Sequence, residues 1–202
     1  MKNLFAPVNL TWVAAACIFS QCLATPALSQ NMTSESKPVI GINLDLNTEG
    51  SKYSISARYL DAIAKAGGIA LLVPPMSASE LAQVLPSLDG MLMIGGDDYP
   101  PASYGQKTED KTSVMAPARS QFDMLVVRTV LAQPPMPYLG ICAGSQVLNI
   151  GSGGELIQDI PTAKPDSKVA HSGKNGWQGN AAGSHVVTLS PGSKLAAIYS
   201  GN

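Results

Sequence analysis

Cysteine and histidine are scarce in this chain, with three and two among 202 residues, and charge is thin at 13%. Basic and acidic residues number 13 and 14, the net charge is -1, and no basic run is present. That balance argues against nucleic acid or an anionic membrane as partner. Two scattered histidines and so few thiols form no ligand cluster, so neither a metal nor an organic cofactor is implied. The apolar stretch from Trp12 to Phe19 falls well short of the ~20 residues that span a bilayer. No internal repeat and no low-complexity segment occurs. What is present is an ordinary globular composition, 45% hydrophobic, enough for one sizeable core.

The short apolar stretch follows Lys2 and precedes Ala27-Leu28-Ser29, with small residues where a signal peptidase reads. This pattern predicts a signal peptide at 1–29, a linker at 30–36 and one domain over 37–202. The expected location is periplasmic or secreted, with no membrane anchor after processing. Processing would remove Cys17 and Cys22 and leave Cys142 alone. A single leftover cysteine in an exported chain is either a packing residue or a free reactive thiol.

Short apolar runs alternate with helical periods along the domain. Strands are expected at Lys37–Leu44, Gly68–Val73, Gly90–Ile94 and Pro137–Cys142. Between them, "SISARYLDAIAKAGG" puts Ile55, Tyr59, Leu60, Ile63 and Ala64 on one face and ends at Gly67-Gly68. "SASELAQVL" offers Ser77 or Ser79 as N-cap, and "ARSQFDMLVVRTVLAQ" groups Phe122, Leu125, Val126 and Val130 before Pro134. Strands apolar at nearly every position predict coverage on both faces. The fold class is therefore α/β: a three-layer sandwich whose mostly parallel sheet has helices on each side.

Ligands in such sheets bind beyond the carboxyl ends of the strands. Two of those ends carry unusual residues. In "IGGDDYPPASYG", Gly95-Gly96 lets backbone N–H groups approach a ligand, although a plain loop reads equally well. In "PYLGICAGSQVLNIGSGGELIQDIP", Cys142 lies between Gly140 and Gly144 where a strand gives way to a helix. Gly-x-nucleophile-x-Gly at that junction is a nucleophile elbow: the flanking glycines relieve crowding, and the turn projects the central side chain above the sheet. The amino end of the next helix favours a thiolate and donates N–H groups to a developing oxyanion. A close-packed turn with an inert cysteine is the competing reading.

Taken together, "PVIGI", "LDGMLMIGGDDYPPASYG", "ARSQFD", the cysteine elbow, "NIGSGGELIQDIP" and "HVVTLSPGSKL" resemble the class I glutamine amidotransferase-like superfamily. They resemble in particular its γ-glutamyl hydrolase branch, which includes the γ-glutamyl-γ-aminobutyrate hydrolases. The resemblance runs from about Pro38 to the last residue. It implies that Cys142 attacks a γ-glutamyl amide carbonyl to give a glutamyl thioester that water hydrolyses. It also implies an oxyanion hole from the N–H groups of Gly96 and Ala143, close approach at Gly95, and a grip on the glutamyl group by Gln146. The partner implied is a small-molecule γ-glutamyl substrate, and a homodimer is left open. Relatives often carry Arg where Ala143 stands and Asp where Ser120 stands; the first departure leaves the N–H donor in place, and the second bears on packing more than on chemistry.

A cysteine hydrolase needs a histidine to move protons. His171 lies in the Gly-, Asn- and Ser-rich stretch "HSGKNGWQGNAAGSH", and His185 opens the expected strand "HVVTL". The family's histidine falls in a later "His-His-Gln"-like segment, past the turn matched by Gly192 to Leu195. His185 is therefore read as a strand-opening structural residue and His171 as a loop residue, and the 202-residue chain is expected to be C-terminally truncated and inactive or impaired in turnover. The alternatives are a non-catalytic γ-glutamyl-binding relative and a glutaminase module of an amidotransferase.

Overall fold

The structure, a computed structural model, describes residues 36–132, 136–166 and 186–199. The expected signal segment and both histidines lie outside the described residues. Strand β1 (Val39–Asn43) leads into a short antiparallel ribbon, β2 (Asp45–Leu46) with β3 (Tyr53–Ser54). Then follow α1 (Ala57–Lys65), β4 (Ile69–Val73), α2 (Ala78–Val84), β5 (Gly90–Met93), α3 (Pro117–Ala132), β6 (Tyr138–Gly140), α4 (Ala143–Gly151), α5 (Ile160–Ala163) and α6 (Lys194–Tyr199). The ribbon was not legible in the sequence. Asn47 builds its turn, its side-chain oxygen accepting from the N–H groups of Ser51 at 2.8 Å and Lys52 at 2.9 Å, an Asx device that two-residue strands hardly advertise.

β4, β1, β5 and β6 form one parallel sheet in that order, which bears out the α/β class. Its two faces follow from strand periodicity. Met91 and Met93 of β5 point to one side, where they pack with Leu81, Leu85, Phe122 and Val126. Leu92, with Ile94 just beyond the strand, points to the other, against Ile42 and Ile63 of α1. Local signals set the helix ends. Ser77, rather than Ser79, caps α2 in a reciprocal capping box with Glu80, and Gly67 takes φ 83° just past α1.

Helix α3 is covered on two sides. Phe122 and Val126 face the sheet, with Leu125 and Val130 packed at the margin of that cluster, while Val127 faces Val147 and Ile150 of α4. Among the described residues, coverage is uneven along the sheet. Only β5 is buried at every residue; Ile69 of β4 is 51% exposed and Leu139 of β6 is 57% exposed. These two strands are the ends of the described sheet and lack a neighbour on one side. The strand expected at "HVVTL" is corrected: residues 186–190 form no strand, and Val186 is 96% exposed, because nothing among the described residues pairs with it.

Candidate active site

Adjacent positions in the sheet bring the two unusual strand ends together. β5 and β6 pair Met93 with Gly140, and the N–H of Ile141 continues the ladder to the Met93 carbonyl at 2.9 Å. The loop after β5, carrying Gly95 and Gly96, therefore lies beside the loop after β6, carrying Cys142. A β-carbon placed on Gly95 would stand 3.4 Å from Cys142 Cβ and 3.8 Å from its Sγ. Gly95 thus stands directly beside the thiol, at a distance where a β-carbon would make ordinary contact.

Cys142 is exposed and has φ 53° and ψ -114°. It is the only non-glycine residue with positive φ among the described residues. A conformation of this kind costs about 1–3 kcal/mol in a residue with a side chain and persists only where surrounding structure enforces it. The enforcing contacts are visible. A β-carbon on Gly144 would overlap the Met93 carbonyl, and one on Gly140 would overlap the Gly144 carbonyl. Tyr138 donates its hydroxyl to that Gly144 carbonyl at 2.7 Å, and burial pushes its phenol well above the ordinary tyrosine range, so it stays a donor. The glycines of Gly140-Ile141-Cys142-Ala143-Gly144 thus let α4 start hard against β5 and β6, and Cys142 takes the strain. The turn projects the Cys142 thiol into an exposed position, whereas the inert-turn reading calls for a buried cysteine.

The donors follow from the backbone. In the first turn of α4 the N–H of Gly144 goes to the Ile141 carbonyl, and those of Ser145 and Gln146 go to the Cys142 carbonyl. The Ala143 N–H has no backbone acceptor among the described residues, as expected at a helix start. Gly95 N–H points to the Tyr59 hydroxyl at 3.4 Å, and Gly96 is exposed. Gln146 lies half-buried in the first turn of α4, its N–H bonded to the Cys142 carbonyl. The five site residues expected from sequence, Cys142, Gly95, Gly96, Ala143 and Gln146, therefore gather at two adjoining strand ends.

Sequence reasoning missed what lies beneath them. Arg119 and Asp123, one turn apart on α3, are both wholly buried, and Arg119 Nε donates to Asp123 Oδ2 at 2.6 Å. Asp123 also accepts from Asn43 Nδ2 at 2.8 Å and from the Tyr99 hydroxyl at 2.6 Å. Asn43 Oδ1 in turn accepts the Ile94 N–H at 2.8 Å. Arg119 Nη1 reaches Asp45 at 3.0 Å, and Nη2 reaches the carbonyls of Ile94 and Gly95 at 3.4 Å each. Burial pushes the Asp123 carboxyl up from its ordinary range, against the pull of the Arg119 charge and of hydrogen bonds from Tyr99, Arg119 and Asn43. Burial likewise raises the Tyr99 phenol, with the Asp123 charge adding to it. The available signal was Arg and Asp four apart in "ARSQFD", two charges on the inner side of a covered helix. Ser120, beside them, gives its hydroxyl to the Pro117 carbonyl at 3.1 Å, a local role.

Residues 38–202 match the family model of Peptidase C26. The chain belongs to the Peptidase C26 family, within the class I glutamine amidotransferase-like superfamily. It is 36% identical over 171 residues to a candidate glutamine amidotransferase of Mycobacterium tuberculosis, covering 81% of this chain and 53% of that protein. It is 35% identical over 163 residues to a candidate glutamine amidotransferase-like protein of Rickettsia prowazekii, covering 76% and 57%. A Schizosaccharomyces pombe protein, also a candidate glutamine amidotransferase by name, is 27% identical over 164 residues, covering 75% and 61%. The chain thus spans between half and two thirds of the length of these relatives. Among the described residues, no group of His, Cys, Asp and Glu is placed to hold a metal ion, and no helix is long and apolar enough to cross a membrane.

Proposed function

We propose that this Peptidase C26 chain takes a γ-glutamyl amide as substrate and uses Cys142 to capture the glutamyl group. The observation that carries the reading is the exposed Cys142 at φ 53°, set against Gly95 at the ends of β5 and β6. The Cys142 thiolate attacks the γ-carbonyl carbon, and the carbonyl π electrons move onto oxygen. The N–H groups of Gly96 and Ala143 stabilise that oxyanion, a contribution worth 10²–10³-fold in rate per donor in related chemistry. Collapse of the tetrahedral species breaks the C–N bond. The amine departs with an added proton, and a glutamyl thioester remains on Cys142. Water then attacks the thioester, releasing glutamate and returning the thiolate.

Proton delivery to the amine and removal from water call for a general acid and base. His171 and His185 lie outside the described residues, so the acyl-capturing half is the part assigned to residues here. The names of the relatives support a second reading, in which the substrate is glutamine itself and the amine is ammonia passed to an acceptor. Both readings share one acyl-enzyme and differ in the leaving amine.

The substrate class is tested by protection. L-glutamine and γ-glutamyl amides should slow iodoacetamide alkylation of Cys142 in a saturable way, while the isomeric α-glutamyl amides should not. Equal protection by both isomers, or by neither, would remove the γ-glutamyl assignment.

A further inference from the structure

Arg119 lies in the core, wholly buried on α3, and touches no residue of the elbow itself. Its guanidinium nevertheless meets the loop that carries one of the two oxyanion donors. Nη2 donates to the Ile94 and Gly95 carbonyls, both at 3.4 Å. In a trans peptide the C=O and the next N–H point in opposite directions, and no cis peptide occurs among the described residues. Holding the Ile94 carbonyl inward must therefore turn the Gly95 N–H outward. The structure agrees, since that N–H meets the Tyr59 hydroxyl, 3.4 Å away. By the same geometry, holding the Gly95 carbonyl inward turns the Gly96 N–H away from the guanidinium, in the loop that stands beside Cys142.

We infer that Arg119 is the positioning residue of the oxyanion hole, fixing the 94–95 and 95–96 peptides so that the Gly96 N–H is aimed before substrate arrives. The inference rests on the acyl-capture reading of Cys142 given above. Three features make the guanidinium suited to this. It is never deprotonated in a protein, so a flipped peptide would direct an N–H at a permanent cation. Its other nitrogens are anchored, Nε to Asp123 at 2.6 Å and Nη1 to Asp45 at 3.0 Å, which leaves Nη2 for the loop. The guanidinium also lies directly against Gly96: a β-carbon there would meet Nη1 at an ordinary contact distance of 3.5 Å. Lysine, a point charge without a planar fork, cannot serve two carboxylates and two carbonyls at once.

The test separates loop order, thiol reactivity and acyl transfer. Arg119→Lys is the main variant. Asp45→Asn, which alters only the half-exposed anchor, serves where the lysine variant does not fold. Nitrogen-15 relaxation reads the loop: in the full chain the Gly96 N–H should show an order parameter near ~0.85, as in rigid backbone, falling toward ~0.6 in the variants. Acylation by a γ-glutamyl ethyl thioester should drop by about 10²-fold in Arg119→Lys and by less in Asp45→Asn. Alkylation by iodoacetamide, a displacement that develops no oxyanion, should stay within about twofold of the parent. Unchanged order at Gly96 in a folded variant, or equal losses in acylation and alkylation, would overturn the inference. Failure of the parent chain to acylate at all would count against the acyl-capture reading instead, and the relaxation data would still decide the role of Arg119.

Discussion

Replacing Cys142 by glycine is expected to raise stability while removing every covalent reaction of the site. The residue sits at φ 53° and ψ -114° with its side chain exposed, so little packing is lost with the sulfur. Relief of backbone strain contributes about 1–3 kcal/mol, and the greater freedom of glycine in the unfolded chain takes back about 0.5–1 kcal/mol. The difference, about 0–2.5 kcal/mol, should lift Tm by about 2.5–5 °C at the middle of that range for a domain of this size. Thermal unfolding followed by circular dichroism measures it. A lower Tm for Cys142→Gly would mean that the elbow is not strained and that the thiol is held there by its packing.

Gly144→Ala should act in the opposite direction and more strongly. The added carbon would overlap the Met93 carbonyl and stand 2.8 Å from Met93 Cβ. Met93 ends the fully buried central strand β5 and cannot move aside, while Gly144 sits in the first turn of α4. Overpacking against a flexible side chain costs about 1–3 kcal/mol, and rigid backbone on both sides puts this case at or above the top of that range. Urea unfolding should therefore show a loss of at least about 3 kcal/mol. Gly96→Ala makes the comparison, since its β-carbon would meet Arg119 at an ordinary 3.5 Å and the chain should fold normally. A loss at Gly144 no greater than at Gly96 would contradict the tight elbow.

The parts of the site legible in the sequence were those with local causes. Gly140 and Gly144 bracket Cys142 because the turn forces them there, and Gly95-Gly96 follow a wholly apolar strand, so a pattern of a few residues sufficed. The helix ends at Ser77 and Gly67 were legible for the same reason. Arg119 and Asp123 escaped because their meaning depends on partners far away in the chain: Asn43, Asp45 and the Ile94–Gly95 backbone come together only when β1, β5 and α3 have packed. Tyr59, read as a core residue of α1, extends its hydroxyl to Gly95 for a similar reason. The mis-assigned strand at 186–190 shows the limit from the other side, since its alternation gives it strand character but pairing depends on a neighbour.

The central claim, that this elbow captures a γ-glutamyl group, is tested most directly by mass. When the full chain is mixed with γ-glutamyl ethyl thioester, the departing ethanethiolate needs no added proton, so acyl transfer does not wait on a general acid. The peptide that contains Cys142 should gain one glutamyl group per chain, with one ethanethiol released. The adduct should be absent in Cys142→Gly. A chain whose Cys142 is alkylated by iodoacetamide but gains no glutamyl group, or gains it at another residue, would contradict the account.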